Sequence, residues 1–267
     1  MTQVLRGNIV HAPAMGRLDI LEHGCLVLED GVITGLYPDL PAHLEGVEVR
    51  DFGDRIIMQS FADMHLHAPQ YPMLGMGMDL PLLDWLNTYT FPQEARYEDT
   101  EFAKEAYSVF AEDMKKSPNT RACIFGTLHV PATEILMEQL DKTGIKAMVG
   151  KVNMDRNGSP QLQEESAQAS ADATVQWIKD TLDKFENVKP ILTPRFTPSC
   201  SDELMEKLSE IQKRYPLPMQ SHLSENFGEI AWVKELCPNT HFYGEAYSQF
   251  DLFGGDCPTI MAHCVHS

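Results

Sequence analysis

The sequence predicts an α/β protein, with a small N-terminal β-sandwich segment over residues 1–58 and an incomplete (β/α)8 TIM barrel over residues 59–267. Two observations carry this prediction. From residue 59 onward, short apolar segments alternate with amphipathic helical segments, which is typical of parallel βαβ units. Histidine and arginine side chains follow several of these apolar segments, and a barrel places its active site at the carboxyl ends of its strands.

The first 58 residues contain short β-like segments separated by turns. Asp30-Gly31 lies between the apolar runs Cys25–Leu28 and Val32–Ile33. This dipeptide between apolar runs is a strong signal for a two-residue hairpin. We expect a small antiparallel sheet that is the N-terminal part of a β-sandwich domain.

Six strand candidates follow, each a short apolar run of the kind that is buried in a parallel sheet. They are the run leading to His65 and residues 121–128, 145–152, 188–196, 217–222 and 259–264. Between them, apolar residues recur at three- and four-residue steps, which predicts helices that pack against the sheet. These stripes are Phe102, Ala106, Phe110 and Met114; Val175, Ile178, Leu182 and Phe185; and Leu204, Leu208 and Ile211.

A doubly wound sheet is the alternative architecture for such a pattern. That fold would more often show a glycine-rich first turn, and no Gly-x-Gly-x-x-Gly occurs in the chain. Polar side chains lie at or just after the ends of the predicted strands: His65, His67, His129, Arg195, His222 and His263. This placement favours the barrel.

Composition restricts the possible partners. The chain has 39 acidic and 21 basic side chains, a net charge of −18, which argues against nucleic acid and anionic membranes as partners. No apolar run approaches the ~18 residues of a membrane span. The six cysteines show no Cys-x-x-Cys spacing, so we expect reduced thiols in a cytoplasmic protein.

The pair His65 and His67 is the strongest chemical signal. Side chains two apart in a strand share a face, so both imidazoles converge on one point. His222 would add a third nitrogen, and three protein ligands with one open position are typical of catalytic zinc. Alone, His222 is better explained as a core or surface histidine; together with the pair, a metal site is favoured.

Three further positions carry candidate chemistry. Glu225 follows His222 by three residues, where a carboxyl group can shuttle protons, and His263 can hydrogen-bond water or a developing tetrahedral centre. Arg195 offers a planar fork for a carbonyl oxygen and ring nitrogen, beside the apolar face of Phe196. A structural salt bridge explains Arg195 equally well, and a pocket position for His129 is left open.

Several longer motifs resemble a known family. The run Phe61–Tyr71 resembles the first-strand motif of the amidohydrolase superfamily, and other stretches are similar to the guanine deaminases within it. Those stretches are Gly75–Leu86, Thr90–Glu94, Val149–Asp155, Thr193–Phe196 and Gln220–Asn226. They occur in the family's order and extend over nearly the whole chain.

The resemblance implies a zinc-dependent hydrolase of purine catabolism that converts guanine to xanthine and ammonia. It implies one zinc per subunit, guanine as the small-molecule partner and a homodimer. The implied zinc ligands are His65, His67 and His222. By the same resemblance Glu225 is the proton shuttle, His263 orients the attacking water, and Gln70, Arg195 and Phe196 bind the purine.

The family's last zinc ligand is an aspartate at the end of the eighth barrel strand, and nothing in these 267 residues matches it. We therefore expect a chain truncated after the sixth barrel strand, an inactive N-terminal fragment of an enzyme. Two alternatives remain open. One is a related amidohydrolase acting on cytosine, adenine or a triazine, and the other is a non-catalytic fragment.

Overall fold

A computed structural model describes all 267 residues, which form two compact units, Met1–Phe61 and Ala62–Ser267. None of its helices is both long enough and apolar enough to cross a lipid bilayer.

The first unit is a four-stranded sheet in the order β3-β2-β1-β4. Its strands are β1 Thr2–Ala14, β2 Arg17–Glu29, β3 Val32–Tyr37 and β4 Val49–Met58. The hairpin at Asp30-Gly31 is confirmed, since φ is 49° and 82° at these residues, as a type I′ turn requires. The prediction of a purely antiparallel sheet is wrong, because β4 pairs with β1 in parallel. Residues 38–48 connect β3, at one edge of the sheet, to β4 at the other edge. This crossover connection lets β4 run in the same direction as β1.

The second unit carries the strands of the barrel. Its strands are β5 Phe61–His67, β6 Asn119–Phe125, β7 Lys146–Gly150, β8 Val152–Asn153, β9 Val188–Pro190, β10 Thr193–Pro194, β11 Met219–Leu223 and β12 Thr259–His263. Strands β5, β6, β7 and β9 are neighbours in that order, and β7 pairs in parallel with both β6 and β9. The predicted α/β fold with parallel strands in chain order is confirmed.

The fourth predicted strand is divided into β9 and β10. Strand β9 pairs with β7 and β10 pairs with β8 in the same register, so one parallel pairing continues past an interruption at Ile191-Leu192. A parallel bridge between Leu192 and Met219 then joins this region to β11, which pairs with β12. The order of parallel neighbours therefore continues from this region through β11 to β12.

Eight α-helical segments accompany the strands. They are α1 Leu82–Trp85, α2 Phe91–Ala95, α3 Thr100–Lys116, α4 Val130–Asp141, α5 Ala167–Thr181, α6 Asp202–Arg214, α7 Phe227–Leu236 and α8 Glu245–Ser248. The three predicted apolar stripes belong to α3, α5 and α6, and their buried members pack in one core with the strands. Leu182 and Phe185 lie beyond the end of α5 but still pack against this core.

Candidate active site

A cavity of about 140 Å³ is bordered by residues from the carboxyl ends of β5, β11 and β12. All eight residues for which the sequence predicts a role border it, although their roles stay predictions. They are His65, His67, Gln70, Arg195, Phe196, His222, Glu225 and His263. The apolar side chains Leu82, Trp85 and Leu86 complete the wall. Positions almost 200 residues apart in sequence therefore meet in one space.

Three imidazoles form a compact cluster in this cavity. His65 and His67 lie on the same side of β5, and their ring centres are 5.1 Å apart. The ring centre of His222 lies 5.0 Å from each of the other two. One nitrogen from each ring can be chosen so that all three lie within 4.8 Å of one another.

The hydrogen bonds of this cluster fit a metal ion. His222 Nδ1–H donates to the carbonyl oxygen of Arg195 at 2.5 Å, which leaves a lone pair on Nε2. That Nε2 lies 3.0 Å from Nε2 of His67. The Nδ1 atoms of His65 and His67 are buried without a hydrogen-bond partner. Convergent nitrogens with so few protein partners are the donor set that zinc and similar divalent metals prefer.

Burial keeps these imidazoles neutral. Desolvation, followed by the charges of His263 and Arg195, lowers the pKa of His65 to about 4. Burial also holds the pKa values of His67 and His222 well below their ordinary value. Because a neutral imidazole is the form that binds a metal, the cluster offers its lone pairs at physiological pH.

Glu225 reaches the cavity because the chain turns sharply after β11. Ser224 has φ of 53°, in the left-handed region, so the alternation of the strand ends there. Oε2 of Glu225 lies 3.3 Å from Nε2 of His263, at the end of β12. Burial, followed by the charge of Glu229, raises the pKa of Glu225 to about 7.

A buried glutamate on α7 holds the backbone of Glu225 in place. Oε2 of Glu229 accepts hydrogen bonds from the backbone N–H groups of Glu225 at 2.9 Å and Asn226 at 3.3 Å. Its Oε1 accepts a hydrogen bond from the Tyr243 hydroxyl at 2.7 Å. Glu229 is also part of the N-terminal cap of α7, which begins at Phe227. The cap of this helix therefore fixes the backbone position of Glu225.

A second part of the cavity wall, which contains Arg195, is held by a buried ion pair whose acidic partner, Glu94, the sequence did not identify. Arg195 donates through both terminal nitrogens to Glu94, at 2.5 and 3.1 Å, and both side chains are 3% exposed. Gln70 Nε2 donates to the same carboxylate at 2.9 Å. Arg195 therefore has both functions considered from sequence, since it forms a structural ion pair and also borders the cavity.

A buried tyrosine supports the strand that carries His222. The Tyr247 hydroxyl donates to the backbone carbonyl of His222 at 2.7 Å and accepts from the backbone N–H of Thr197 at 3.1 Å. It also lies 2.9 Å from the hydroxyl of Ser221, which itself donates to the carbonyl of Pro194 at 2.7 Å. These bonds join β11 to the segment that carries Arg195.

The candidate His129 and a further histidine, His266, lie outside the cavity. His129 is the residue before α4, and its backbone N–H donates to Thr127 Oγ1 at 3.3 Å. The exposed His266 stacks on Phe227 with ring centres 4.0 Å apart.

The wall residues Leu82, Trp85 and Leu86 were not predicted from the sequence. They are spaced as one helical face, but α1 has only four residues, which is too short for periodicity to identify that face.

The whole barrel region matches a known family model, the amidohydrolase family, over residues 56–267. The chain is 39% identical over 282 residues to guanine deaminase of Dictyostelium discoideum, across 99% of this chain and 62% of that protein. It therefore spans about three fifths of the length of the curated relatives it matches.

Solved structures agree with this match. The fold superposes with a TM-score of 0.94 on guanine deaminase from C. acetobutylicum with bound guanine in the active site, at 44% identity over 100% of this chain and 63% of that one. The TM-score for E. coli guanine deaminase is 0.84, at 31% identity over 100% of this chain and 62% of that one. The resemblance predicted from the motifs is confirmed, and the chain belongs to the amidohydrolase family.

Proposed function

We propose that this chain carries the zinc-binding and substrate-binding side chains of a guanine deaminase, which converts guanine and water to xanthine and ammonia. The observation that carries the proposal is the convergence of three metal-type histidines, a carboxyl group and an arginine on one cavity of about 140 Å³. The similarity to guanine deaminases over nearly the whole chain supports the choice of substrate.

His65, His67 and His222 would hold the metal, and zinc is our choice because of the nitrogen donor set and the resemblance. Bound zinc would supply Lewis acidity, which brings the pKa of water towards neutrality. The three histidines need no change of protonation state to bind it, because burial already keeps them neutral.

Glu225 is the proposed proton shuttle. It would take a proton from the attacking water and deliver it to the ring nitrogen beside the amino-bearing carbon of guanine. The amine of the adduct would then take the proton of the new hydroxyl group, the C–N bond would break, and ammonia would leave as the carbonyl of xanthine forms. A carboxyl group with a pKa of about 7 can both accept and donate a proton at neutral pH, which suits such a role. His263, 3.3 Å from Glu225, would orient the water.

The part of the wall that contains Arg195 and Gln70 fits a neutral ring. Glu94 compensates the charge of Arg195, so no unpaired cation faces the cavity to favour an anionic ligand. Arg195 and Gln70 would bind the polar edge of the purine, and Phe196 would contact its flat face. All six cysteines are free, which supports a reducing compartment such as the cytoplasm. A homodimer stays a prediction.

The proposal is tested by measuring ammonia release by the zinc-loaded full-length protein from guanine, adenine, cytosine and a chlorotriazine. We expect turnover of guanine and at least tenfold preference over the other rings. The Arg195→Met variant should lose most of its activity with guanine, while the Arg214→Met variant, altered at the end of α6, should behave as wild type. Turnover of another ring with none of guanine would overturn the proposed substrate.

A further inference from the structure

Glu94 lies directly behind the substrate-binding wall. It belongs to α2, is buried, and does not itself border the cavity. Its two carboxylate oxygens receive three N–H groups, two from Arg195 and one from Gln70. Both of those residues border the cavity, so one buried carboxylate contacts two proposed ligand-binding side chains at once.

The contact with Glu94 fixes the plane of Arg195. A guanidinium carries five N–H groups in a rigid fork, and a two-point contact with a carboxylate sets its orientation. The Arg195 Cζ atom also lies 5.2 Å from the ring centre of Phe91, which begins the same helix as Glu94. The N–H groups that Glu94 does not occupy remain as donors, so this part of the wall suits an acceptor atom of the ligand.

The same carboxylate fixes the amide of Gln70. An amide can be turned by 180° at small cost, and its neighbours decide which end faces which way. Because Glu94 can only accept, the Gln70 nitrogen faces it at 2.9 Å and the amide oxygen is left free as an acceptor. Gln70 therefore suits an N–H donor of the ligand.

We propose that Glu94 is a positioning residue that sets the hydrogen-bond pattern of the cavity, with donors on Arg195 and an acceptor on Gln70. The pattern selects a neutral heterocycle that carries a carbonyl oxygen or bare ring nitrogen and also a ring N–H. Guanine has both kinds of group. The inference rests on the proposed function for the identity of the ligand and adds a determinant of its recognition.

Glu94→Gln in the zinc-loaded full-length protein is the first test. The substitution keeps the shape but replaces one acceptor oxygen by an N–H donor group, which then faces the donors of Arg195 or Gln70. Because hydrogen bonds to charged groups are stronger than those between neutral groups, we expect KM for guanine to rise at least tenfold. We expect kcat to change less than about threefold and zinc content to stay at the wild-type level, since neither the histidines nor Glu225 contacts Glu94.

A reciprocal exchange separates positioning from a merely structural role. Gln70→Glu alone places a second carboxylate against Glu94 and should also raise KM. In the double variant Gln70→Glu/Glu94→Gln, one carboxylate and one amide again face each other. We expect KM of the double variant to lie at least fivefold below the product of the two single effects, a coupling that only contacting residues show. The exposed Glu98, four residues later, supplies the control Glu98→Gln, which should not change KM.

Three results would overturn the proposal: an unchanged KM in Glu94→Gln, a parallel fall of kcat and zinc content, or no coupling in the double variant. Failure of the wild type to deaminate guanine is a different result and overturns the proposed function. In that case the same variants are compared on whichever ring of the panel is turned over, and the same KM criteria decide on Glu94.

Discussion

The two walls of the cavity satisfy their polar groups in different ways. On the histidine wall, the Nδ1 atoms of His65 and His67 are buried without partners. On the arginine wall, Glu94 binds both Arg195 and Gln70. A buried polar atom without a partner costs about 1–3 kcal/mol, whereas a charge that is paired is compensated. The histidine wall therefore keeps buried polar atoms that the protein itself does not satisfy, while the arginine wall is organised before any ligand binds.

The largest expected effect is at the histidine wall. His67→Ala in the full-length protein should abolish stoichiometric zinc binding and lower kcat/KM for guanine by at least ~10³-fold, because a Lewis acid contributes several kcal/mol to catalysis. Metal analysis and xanthine formation measure the two effects. His266→Ala is the control, since that ring lies outside the cavity. Wild-type zinc content in His67→Ala would contradict the assignment.

Glu225→Gln should separate proton transfer from metal binding. We expect kcat to fall by ~10²–10⁴-fold, the usual contribution of a general acid or base, with zinc content and KM close to wild type. Steady-state kinetics with guanine provide the measurement, and Glu235→Gln on the exposed side of α7 is the matched control. A variant that kept its full kcat would exclude Glu225 as the shuttle.

The comparison of the walls also predicts effects of different size on the free energy of unfolding. In the metal-free protein, Arg195→Met leaves Glu94 buried and unpaired, and should lower the free energy of unfolding by about 3–5 kcal/mol. His65→Leu removes a ring whose buried Nδ1 has no partner and should change stability by less than about 1 kcal/mol. Urea unfolding measures both. Similar losses in the two variants would remove the distinction between the walls.

The smallest expected effect is on the pH dependence of stability. Glu225 has its pKa raised from 4.5 to about 7 in the folded protein, so between these values the folded state binds the proton and the unfolded state does not. Its contribution to stability is therefore greatest below pH 4.5 and declines as the pH rises to about 7. The stability difference between Glu225→Gln and wild type, measured by urea unfolding of the metal-free protein, should shift in favour of the variant over this interval. A difference that does not vary with pH would show that Glu225 is not buried in this way.

The two walls also differ in how far sequence could predict them. His65 and His67 follow from strand periodicity, and β11 and β12 could be recognised as short strand-like runs at whose ends His222 and His263 lie. Glu94 could not be assigned, because its partner Arg195 lies 101 residues away and no local pattern links them. The parallel pairing of β4 was missed for a similar reason, since register between distant strands is set by the crossover and not by either segment.

The most direct test of the central claim is an anomalous-difference map at the zinc edge from crystals of the full-length protein grown with zinc and guanine. We predict one peak at ~2.0–2.1 Å from a nitrogen of each of His65, His67 and His222. We also predict a purine whose carbonyl edge faces Arg195 and Gln70. A peak away from these histidines, or a ring whose polar edge faces away from Arg195, would contradict the account.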